Sequence, residues 1–189
     1  SWEDVQAEDM GKKIPHIDPG TAFGTGMHET TQLCIRQLKK YITPETRLLD
    51  VGTGSGILSI VSLLYGIKEA VGTDLDPCAV DAVRENKEAN GIAPEKLKLI
   101  IGNIITEKEV QDEVGYDCYD IVVANILADV LVPLTPVILP HLKKGGIYIT
   151  SGIIDDKEET VTAAVRAAGL EVLEVTYQGE WVSVTARKN

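Results

Sequence analysis

The chain has 189 residues, of which 44% are hydrophobic and 25% charged, and this is the composition of one globular domain with a sizeable core. Its net charge of −11 disfavours direct binding to nucleic acid and favours a basic substrate, although many proteins are simply acidic. No apolar run reaches the ~18 residues of a membrane helix, so we expect no membrane segment and no secretory leader. Because the chain begins with Ser1 and not with methionine, we expect the native protein to be longer.

The three cysteines, Cys34, Cys78 and Cys118, are far apart in the sequence and form no C-x-x-C pair. An odd and scattered set of this kind predicts reduced thiols, a cytoplasmic location and no zinc site. We interpret each cysteine as a small core residue.

The N-terminal part of the chain has little regular pattern. Residues 1–13 are polar and acidic, and we interpret them as a linker or a peripheral helix. Residues 14–28 contain two prolines and three glycines, which predicts a long loop, and long loops in compact domains are often functional. A helix is predicted from about His28 to Tyr41, with Thr30 and Thr31 at its N-cap.

A glycine-rich segment between two apolar runs is the chain's clearest motif. Its polar and glycine positions are Asp50, Gly52, Gly54 and Gly56. The run before it, residues 47–51, predicts a strand, and the run after it, residues 57–65, predicts a helix that ends at Gly66. Glycine permits a positive φ and a close approach of the backbone to a ligand. The spacing differs from the dinucleotide fingerprint G-x-G-x-x-G, because Ile57 replaces the last small residue.

A second acid supports a nucleoside-like ligand. Asp74 lies at the end of the next predicted strand, 70–73, where its carboxylate can accept hydrogen bonds from both hydroxyls of a ribose. Together, the D-x-G-x-G-x-G turn and Asp74 resemble motif I and the following acid of the Rossmann-like methyltransferases that use S-adenosylmethionine (SAM). Glycine-rich turns also occur for packing alone, so the turn by itself is weak evidence.

The remaining elements alternate before a final hairpin. Asp76 and Pro77 are predicted to begin a helix that ends near Asn90. Further strands are predicted at 97–101, 119–124, 147–150, 170–177 and 181–187. Helices are predicted within 106–118, within 127–142 with a kink or break at its prolines, and from Asp155, as N-cap, to Ala168. Residues 143–146 are predicted to be a turn, and residues 178–180 to join the last two strands as an antiparallel hairpin.

This order predicts an α/β fold of the class I SAM-dependent methyltransferase type. Five alternating strands give a mostly parallel sheet with helices on both faces, and the hairpin makes it seven-stranded. The ligand crevice should lie at the carboxyl ends of the strands, at the switch point beside the first one. Five candidate ligand-binding residues fall at such ends: Asp50, Gly52, Asp74, Asn103 and Asn125. Asn103 would bond an adenine edge or would simply be a turn residue.

Four segments together resemble one family. Residues 18–31 resemble the D-P-G-x-A-F-G-T-G-x-H-x-T-T loop of the bacterial ribosomal protein L11 methyltransferases, the PrmA family. Residues 50–57 match that family's D-x-G-x-G-S-G-I, residues 74–77 its D-x-D-P, and residues 125–128 its N-I-L-A. The similarity runs from about Ile14 to Asn189.

This resemblance implies a SAM-dependent N-methyltransferase that acts on lysine side chains and the N-terminal α-amine of L11, a basic ribosomal protein. It implies cofactor contacts from Thr31, Gly52, Asp74 and Asn125, with Gly54 in the same turn. The loop Phe23, Gly24, Thr25 and Gly26 would close over the methionine end of the cofactor. It also implies an N-terminal recognition domain that has no counterpart here, so residues 1–13 would be linker and 14–189 the catalytic domain.

The chemistry requires a neutral amine, which the cationic, desolvated surroundings of the sulfonium favour. Asn125 is the candidate that would orient the nitrogen lone pair. His28 is the candidate imidazole base, although a lone loop histidine is more often structural.

Two other function classes stay open. One is a SAM enzyme acting on a small molecule or nucleic acid. Ile126, Leu127 and Ala128 replace the N-P-P-Y-like prolines and aromatic typical of methylation at planar nitrogens, and this favours an aliphatic amine. The other is a nucleotide-binding dehydrogenase or a non-catalytic cofactor-binding module. The spacing indicates no metal cluster and no nucleophilic triad.

Overall fold

The structure is a computed structural model that describes residues 27–189, except for the side chains of Met27 and His28. The strands are β1 (Arg47–Val51), β2 (Glu69–Asp74), β3 (Leu97–Ile101), β4 (Tyr119–Asn125), β5 (Leu142–Ile154), β6 (Glu171–Gln178) and β7 (Trp181–Arg187). The helices are α1 (Met27–Tyr41), α2 (Ile57–Leu64), α3 (Ala79–Ala89), α4 (Lys108–Val114), α5 (Ala128–Ile138) and α6 (Glu158–Ala167). Short 3₁₀ turns lie at Pro94–Lys96 and Asp155–Lys157.

The seven strands form one sheet in the order β3-β2-β1-β4-β5-β7-β6, which confirms the predicted fold class. Strands β1 to β5 are parallel, and β7 runs antiparallel between β5 and β6. The chain order reverses beside β1, which has β2 on one side and β4 on the other. The carboxyl ends of β1, β2 and β4 therefore lie side by side.

The core has two layers, one on each face of the sheet. Helices α1, α2 and α3 pack on one face, with buried residues such as Leu38, Ile60 and Val83. Helices α4, α5 and α6 pack on the other face, with residues such as Val110 and Leu134. Alternate residues of each strand supply the two layers, and this is why the inner strands read as continuous apolar runs.

Helix α1 begins at Met27, within one residue of the predicted start, and ends at Tyr41 as predicted. It includes Thr30 and Thr31, so their assignment to the N-cap is wrong. The polar atoms of Thr30 serve tertiary contacts instead, because its carbonyl accepts a bond from Ser151 Oγ at 3.0 Å. A preference for capping is a weak prior that such contacts override.

The two other predicted N-caps also differ. Helix α3 begins at Ala79, so Pro77 is not its first residue, although Asp76 Oδ1 still accepts a bond from the Cys78 amide at 2.9 Å. A 3₁₀ turn precedes α6, and the amide of Asp155 donates to the Glu180 carbonyl, which ties that turn to the β6–β7 hairpin. Both acids therefore organise connections and do not occupy N-caps.

Helix α5 is continuous, although it contains Pro133 and Pro136, so of the predicted kink or break the break is wrong. Proline removes a helical hydrogen bond, but Leu131 and Leu134 are fully buried against the sheet and their packing offsets that loss. The helix begins three residues after the end of β4, and its N-terminal part lines the cleft described below.

Strand β5 is longer than the predicted 147–150. It extends over 13 residues and includes the segment 143–146, which was predicted to be a turn. Its pairing with β7 shifts register between Thr150 and Ile153, so the strand continues past an irregularity to Ile154. This extension brings Ser151 and Gly152 beside the end of β4.

The cysteines differ in their environments. Cys34 is buried in the core and Cys118 is partly buried, but Cys78 is exposed, so its interpretation as a core residue is wrong. All three are free thiols.

Candidate functional site

The glycine turn after β1 requires glycine at three positions. Gly52, Gly54 and Gly56 have φ values of 71°, 56° and 85°, which side chains rarely permit. The amides of Gly52 and Thr53 both donate to the Thr73 carbonyl, at 2.8 and 2.9 Å, so the turn is held against the end of β2.

Asp50 lies beneath this turn and not in the cleft above it. Its side chain is buried, and its Oδ2 accepts bonds from Thr53 Oγ1 at 2.7 Å and from Ser59 Oγ at 2.8 Å. Burial raises the pKa of Asp50 to about 6, and the nearby charge of Asp74 adds to this, while the two hydroxyls oppose it. The structure therefore gives Asp50 a supporting position, away from direct contact with a ligand in the cleft.

Replacing Asp50 with asparagine should stabilise the protein above about pH 6 by up to ~3 kcal/mol. The pKa of Asp50 is raised from 3.8 to about 6 in the folded state, so the folded protein binds more protons than the unfolded one between these values. This group's contribution to stability therefore falls as pH rises through that window. The asparagine oxygen still accepts both hydroxyl bonds and carries no buried charge.

Urea unfolding of both proteins across the window measures the effect. The difference between Asp50→Asn and the parent should grow from about pH 4 to about pH 6 and then stay level. Glu88→Gln, at an exposed acid of α3, should show no such growth. A variant less stable than its parent above the window would contradict the prediction.

Asp74 joins the end of β2 to the glycine turn. Its Oδ2 accepts a bond from the Gly54 amide at 2.8 Å, and its Oδ1 accepts one from the Asp76 amide at 2.9 Å. A carboxylate has about four acceptor positions, so each oxygen keeps capacity for one more donor. The carboxylate lies in the wall of the cleft, where a diol could use that capacity.

A cleft of about 760 Å³ opens at the carboxyl ends of the strands, at the predicted switch point. Its volume is typical of pockets for small molecules and cofactors. Five residues that the sequence analysis singled out meet in its wall: Gly52, Gly54, Asp74, Asn103 and Asn125.

Asn103 is a turn residue, which is one of the two roles that its sequence position suggested. It lines the cleft, and it also organises the turn after β3, because its Oδ1 accepts a bond from the Ile105 amide at 2.9 Å. The neighbouring Ile104 and the exposed Leu75 line the same part of the cleft with apolar surface. A flat, apolar ring with polar edges fits these surroundings.

Asn125 ends β4 and contacts both α1 and β5. Its Nδ2 donates to Thr30 Oγ1 at 3.3 Å. Gly152 lies so close that a Cβ atom there would be 3.1 Å from Asn125 Oδ1 and 2.7 Å from the Ile126 carbonyl oxygen. The sequence analysis did not identify Gly152. A glycine inside a strand would have been a signal, but the predicted strand ended at residue 150.

The remaining predicted site residues lie in the first turns of α1 or outside residues 27–189. Thr31 is buried behind the cleft wall, and its Oγ1 has no hydrogen-bond partner within residues 27–189. His28 lies in the first turn of α1, but its side chain is outside the described part of the chain. Phe23, Gly24, Thr25 and Gly26 lie outside it altogether, as do residues 1–13.

The other half of the cleft was not anticipated. Helix α5 contributes Asp129, Val130 and Pro133, Leu127 precedes that helix, and the start of β7 contributes Trp181. Leu127 belongs to the N-I-L-A segment, but the other positions look like ordinary helix and strand residues, so nothing local marks them.

The described residues meet neither the requirements of a metal site nor those of a membrane-spanning helix. Among residues 27–189, no three histidine, cysteine or acidic side chains are grouped in a way that could hold a metal ion. Within the same range, no helix has the length and apolar character needed to span a membrane.

A sequence model of the family described as "Ribosomal protein L11 methyltransferase (PrmA)" matches residues 1–189. A ribosomal protein L11 methyltransferase from Agathobacter rectalis is 54% identical over 191 residues, covering 100% of this chain and 59% of the relative. One from Lachnospira eligens is also 54% identical, with the same coverage. The chain thus spans about three fifths of the length of these curated relatives.

Solved structures agree with these sequence matches. A ribosomal protein L11 methylase from Lactobacillus delbrueckii subsp. bulgaricus superposes with a TM-score of 0.82 at 31% identity, covering 94% of this chain and 87% of that one. A precorrin-6y C5,15-methyltransferase from Geobacter metallireducens gives a TM-score of 0.72 at 16% identity, covering 93% and 97%, and shows likeness of fold alone.

Proposed function

The chain belongs to the ribosomal protein L11 methyltransferase (PrmA) family, and from this premise we propose that it binds SAM in the cleft and methylates amino groups of L11. The acceptors would be lysine side chains and the N-terminal α-amine. The observation that carries the proposal is the Asp74 carboxylate, which is fixed by two backbone amides and keeps acceptor capacity in the cleft wall.

The residues of the cleft fit the parts of SAM. Asp74 would accept the ribose hydroxyls, and Gly52 and Gly54 leave the backbone bare beside them. Asn103 would contact the adenine, with apolar surface on either side. Asn125 would face the methionine end.

Helix α1 supports the proposed role of the loop before it. Thr30 lines the cleft one helical turn after Met27, which follows Gly26 directly in the chain. The segment Phe23–Gly26 is therefore joined to the described structure near the cleft, and we propose that it covers the bound cofactor. The unpartnered Oγ1 of Thr31 would find its partner in that loop or in the cofactor.

SAM supplies an activated methyl group on a sulfonium, so the protein's main task is to hold a neutral amine in line with it. A lysine amine has a pKa of about 10.4 in water, and burial in an apolar cleft lowers it. Asn125 Oδ1 would accept one N–H of the amine and so orient the lone pair. His28 stays a candidate base.

The sheet argues against the dehydrogenase alternative. The common dinucleotide-binding fold has six parallel strands in the order 3-2-1-4-5-6. Here an antiparallel β7 lies between β5 and β6, which departs from that arrangement. Because β7 is antiparallel to β5, the carboxyl end of β5 and the start of β7 both lie beside the cleft.

The net charge of the chain fits the proposed substrate. A net charge of −11 favours a basic protein such as L11 over a nucleic acid. We also propose that residues 1–13 are linker, that 14–189 form the catalytic domain and that the protein acts in the cytoplasm.

Incubating the purified chain with SAM and purified L11 tests this function. The intact mass of L11 should rise in steps of one methyl group. Both proteins should be used at high, comparable concentrations, so that a weak complex still forms. L11 whose amines have been acetylated is the control and should gain nothing. Binding of SAM without any mass gain on L11 would contradict the proposed substrate.

A further inference from the structure

The half of the cleft away from Asp74 is apolar and partly aromatic. Leu127, at the N-cap of α5, and Val130 and Pro133 of α5 line it, and Trp181 at the start of β7 lines the same cleft. Leu127 and Val130 are 68% and 40% exposed, so the apolar surface is open to an incoming group. Open apolar surface inside a cleft indicates a binding site.

This half of the cleft has one charged side chain among the described residues, that of Asp129. Of the described side chains that line the cleft, only Asp74 and Asp129 are charged. Asp74 is bonded to the glycine turn, whereas Asp129 has no hydrogen bond or ion pair with any residue in 27–189. An exposed carboxylate beside an aromatic ring and aliphatic walls is complementary to a cation on an aliphatic stem.

The sheet fixes where this half lies relative to Asn125. Asn125 of β4 pairs with Ser151 of β5, and Ile154 of β5 pairs with Trp181 of β7. Neighbouring strands are about 4.8 Å apart and each strand residue adds about 3.3 Å. Two strand spacings and the three residues from Ser151 to Ile154 therefore place Trp181 roughly 14 Å from Asn125, on the outer side. The four-carbon stem of a lysine covers part of that distance, so Trp181 would meet the outer part of the stem while the amine points inwards, towards Asn125.

We propose that this half of the cleft is the subsite for the acceptor lysine, with Asp129 binding its ammonium as it enters. The faces of Trp181 and α5 would cover the four-carbon stem. This inference rests on the proposed function and adds the residues that select the acceptor. Because a carboxylate favours the charged form of an amine, Asp129 serves recruitment, and the ammonium gives its proton to solvent water after it has left this carboxylate.

Tryptophan fluorescence can test the subsite without any turnover. The chain has two tryptophans, so a Trp2→Phe background leaves Trp181 as the only one. With the cleft saturated by S-adenosylhomocysteine, Nα-acetyl-lysine amide should change the Trp181 emission in a saturable way. The same compound with its ε-amine acetylated keeps the stem but lacks the charge, and it should bind more weakly.

Asp129→Asn should weaken binding of the lysine amide about tenfold, the size expected for loss of one charge-assisted bond. Glu88→Gln, at an exposed acid on α3 outside the cleft, should leave it unchanged. Calorimetry with S-adenosylhomocysteine should give the same affinity for Asp129→Asn and the parent.

Three results would overturn the subsite. The first is lysine-amide binding that Asp129→Asn does not weaken, and the second is no amine binding while S-adenosylhomocysteine still binds. The third is a loss of S-adenosylhomocysteine affinity in Asp129→Asn, which would place this carboxylate on the cofactor. If the parent bound no S-adenosylhomocysteine, the proposed function would fail together with the subsite.

Discussion

Asp74→Asn should weaken SAM binding by about 100-fold, because two charge-assisted hydrogen bonds to ribose hydroxyls are lost or weakened. The asparagine oxygen can still accept the Gly54 amide, which bonds Asp74 Oδ2 at 2.8 Å in the parent, so the glycine turn should keep its shape, whereas the bond from the Asp76 amide is lost. Calorimetric titration with SAM measures the affinity, and thermal unfolding checks that the variant remains folded.

Asp76→Asn is the matched control for this prediction. Asp76 is also an acid in the segment after β2, and its side chain accepts the Cys78 amide, but it does not line the cleft. Its replacement should change SAM affinity by no more than about twofold. If Asp74→Asn bound SAM as tightly as Asp76→Asn, the assignment of the ribose to Asp74 would be wrong.

Gly152→Ala should lower the free energy of unfolding by about 3–5 kcal/mol. Gly152 has a φ of 83°, and a Cβ atom there would lie 2.7 Å from the carbonyl oxygen of Ile126, a backbone atom that cannot move aside cheaply. The strain of the backbone and the clash therefore add. Because Ile126 follows Asn125, the variant should also bind SAM more weakly.

Gly145→Ala separates these two contributions. Gly145 lies in the same strand with a φ of 81°, but nothing lies within 4 Å of a Cβ atom there. Its replacement should cost only the backbone term, about 1–2 kcal/mol. Chemical denaturation of both variants gives the difference. Equal losses would mean that the contact with Ile126 does not restrict position 152.

Local sequence patterns predicted the strands and turns that position the proposed cofactor-binding residues. The strands 97–101 and 181–187 were predicted with the bounds that the structure gives. Gly52, Gly54 and Asp74 were found because strand, turn and acid follow one another within a short stretch of sequence. In a parallel sheet, residues at strand ends must share one edge, so Asn103 and Asn125 could be added from the order of elements alone.

The errors have a common origin. Thr30 and Asp155 carry side chains that prefer N-caps, but neighbours distant in the sequence decided what these two residues bond to. The continuity of α5 through two prolines depends on burial against the sheet, which no local propensity reports. In each case a tertiary contact of about 1 kcal/mol or more exceeded a local preference of similar or smaller size.

The α/β class, the glycine turn with its positive φ angles, and the position of Asp74 at the end of β2 are all readable from short stretches of sequence. These follow from steric limits on the backbone and from periodicity, both of which act over a few residues. The apolar half of the cleft and the residues in it became evident only from the folded chain. Asp129 comes from α5 and Trp181 from the final hairpin, and they meet in one cleft because the antiparallel β7 inserts beside β5. Pairing between segments so far apart in the chain depends on the free energy of the whole sheet, which no short stretch of sequence contains.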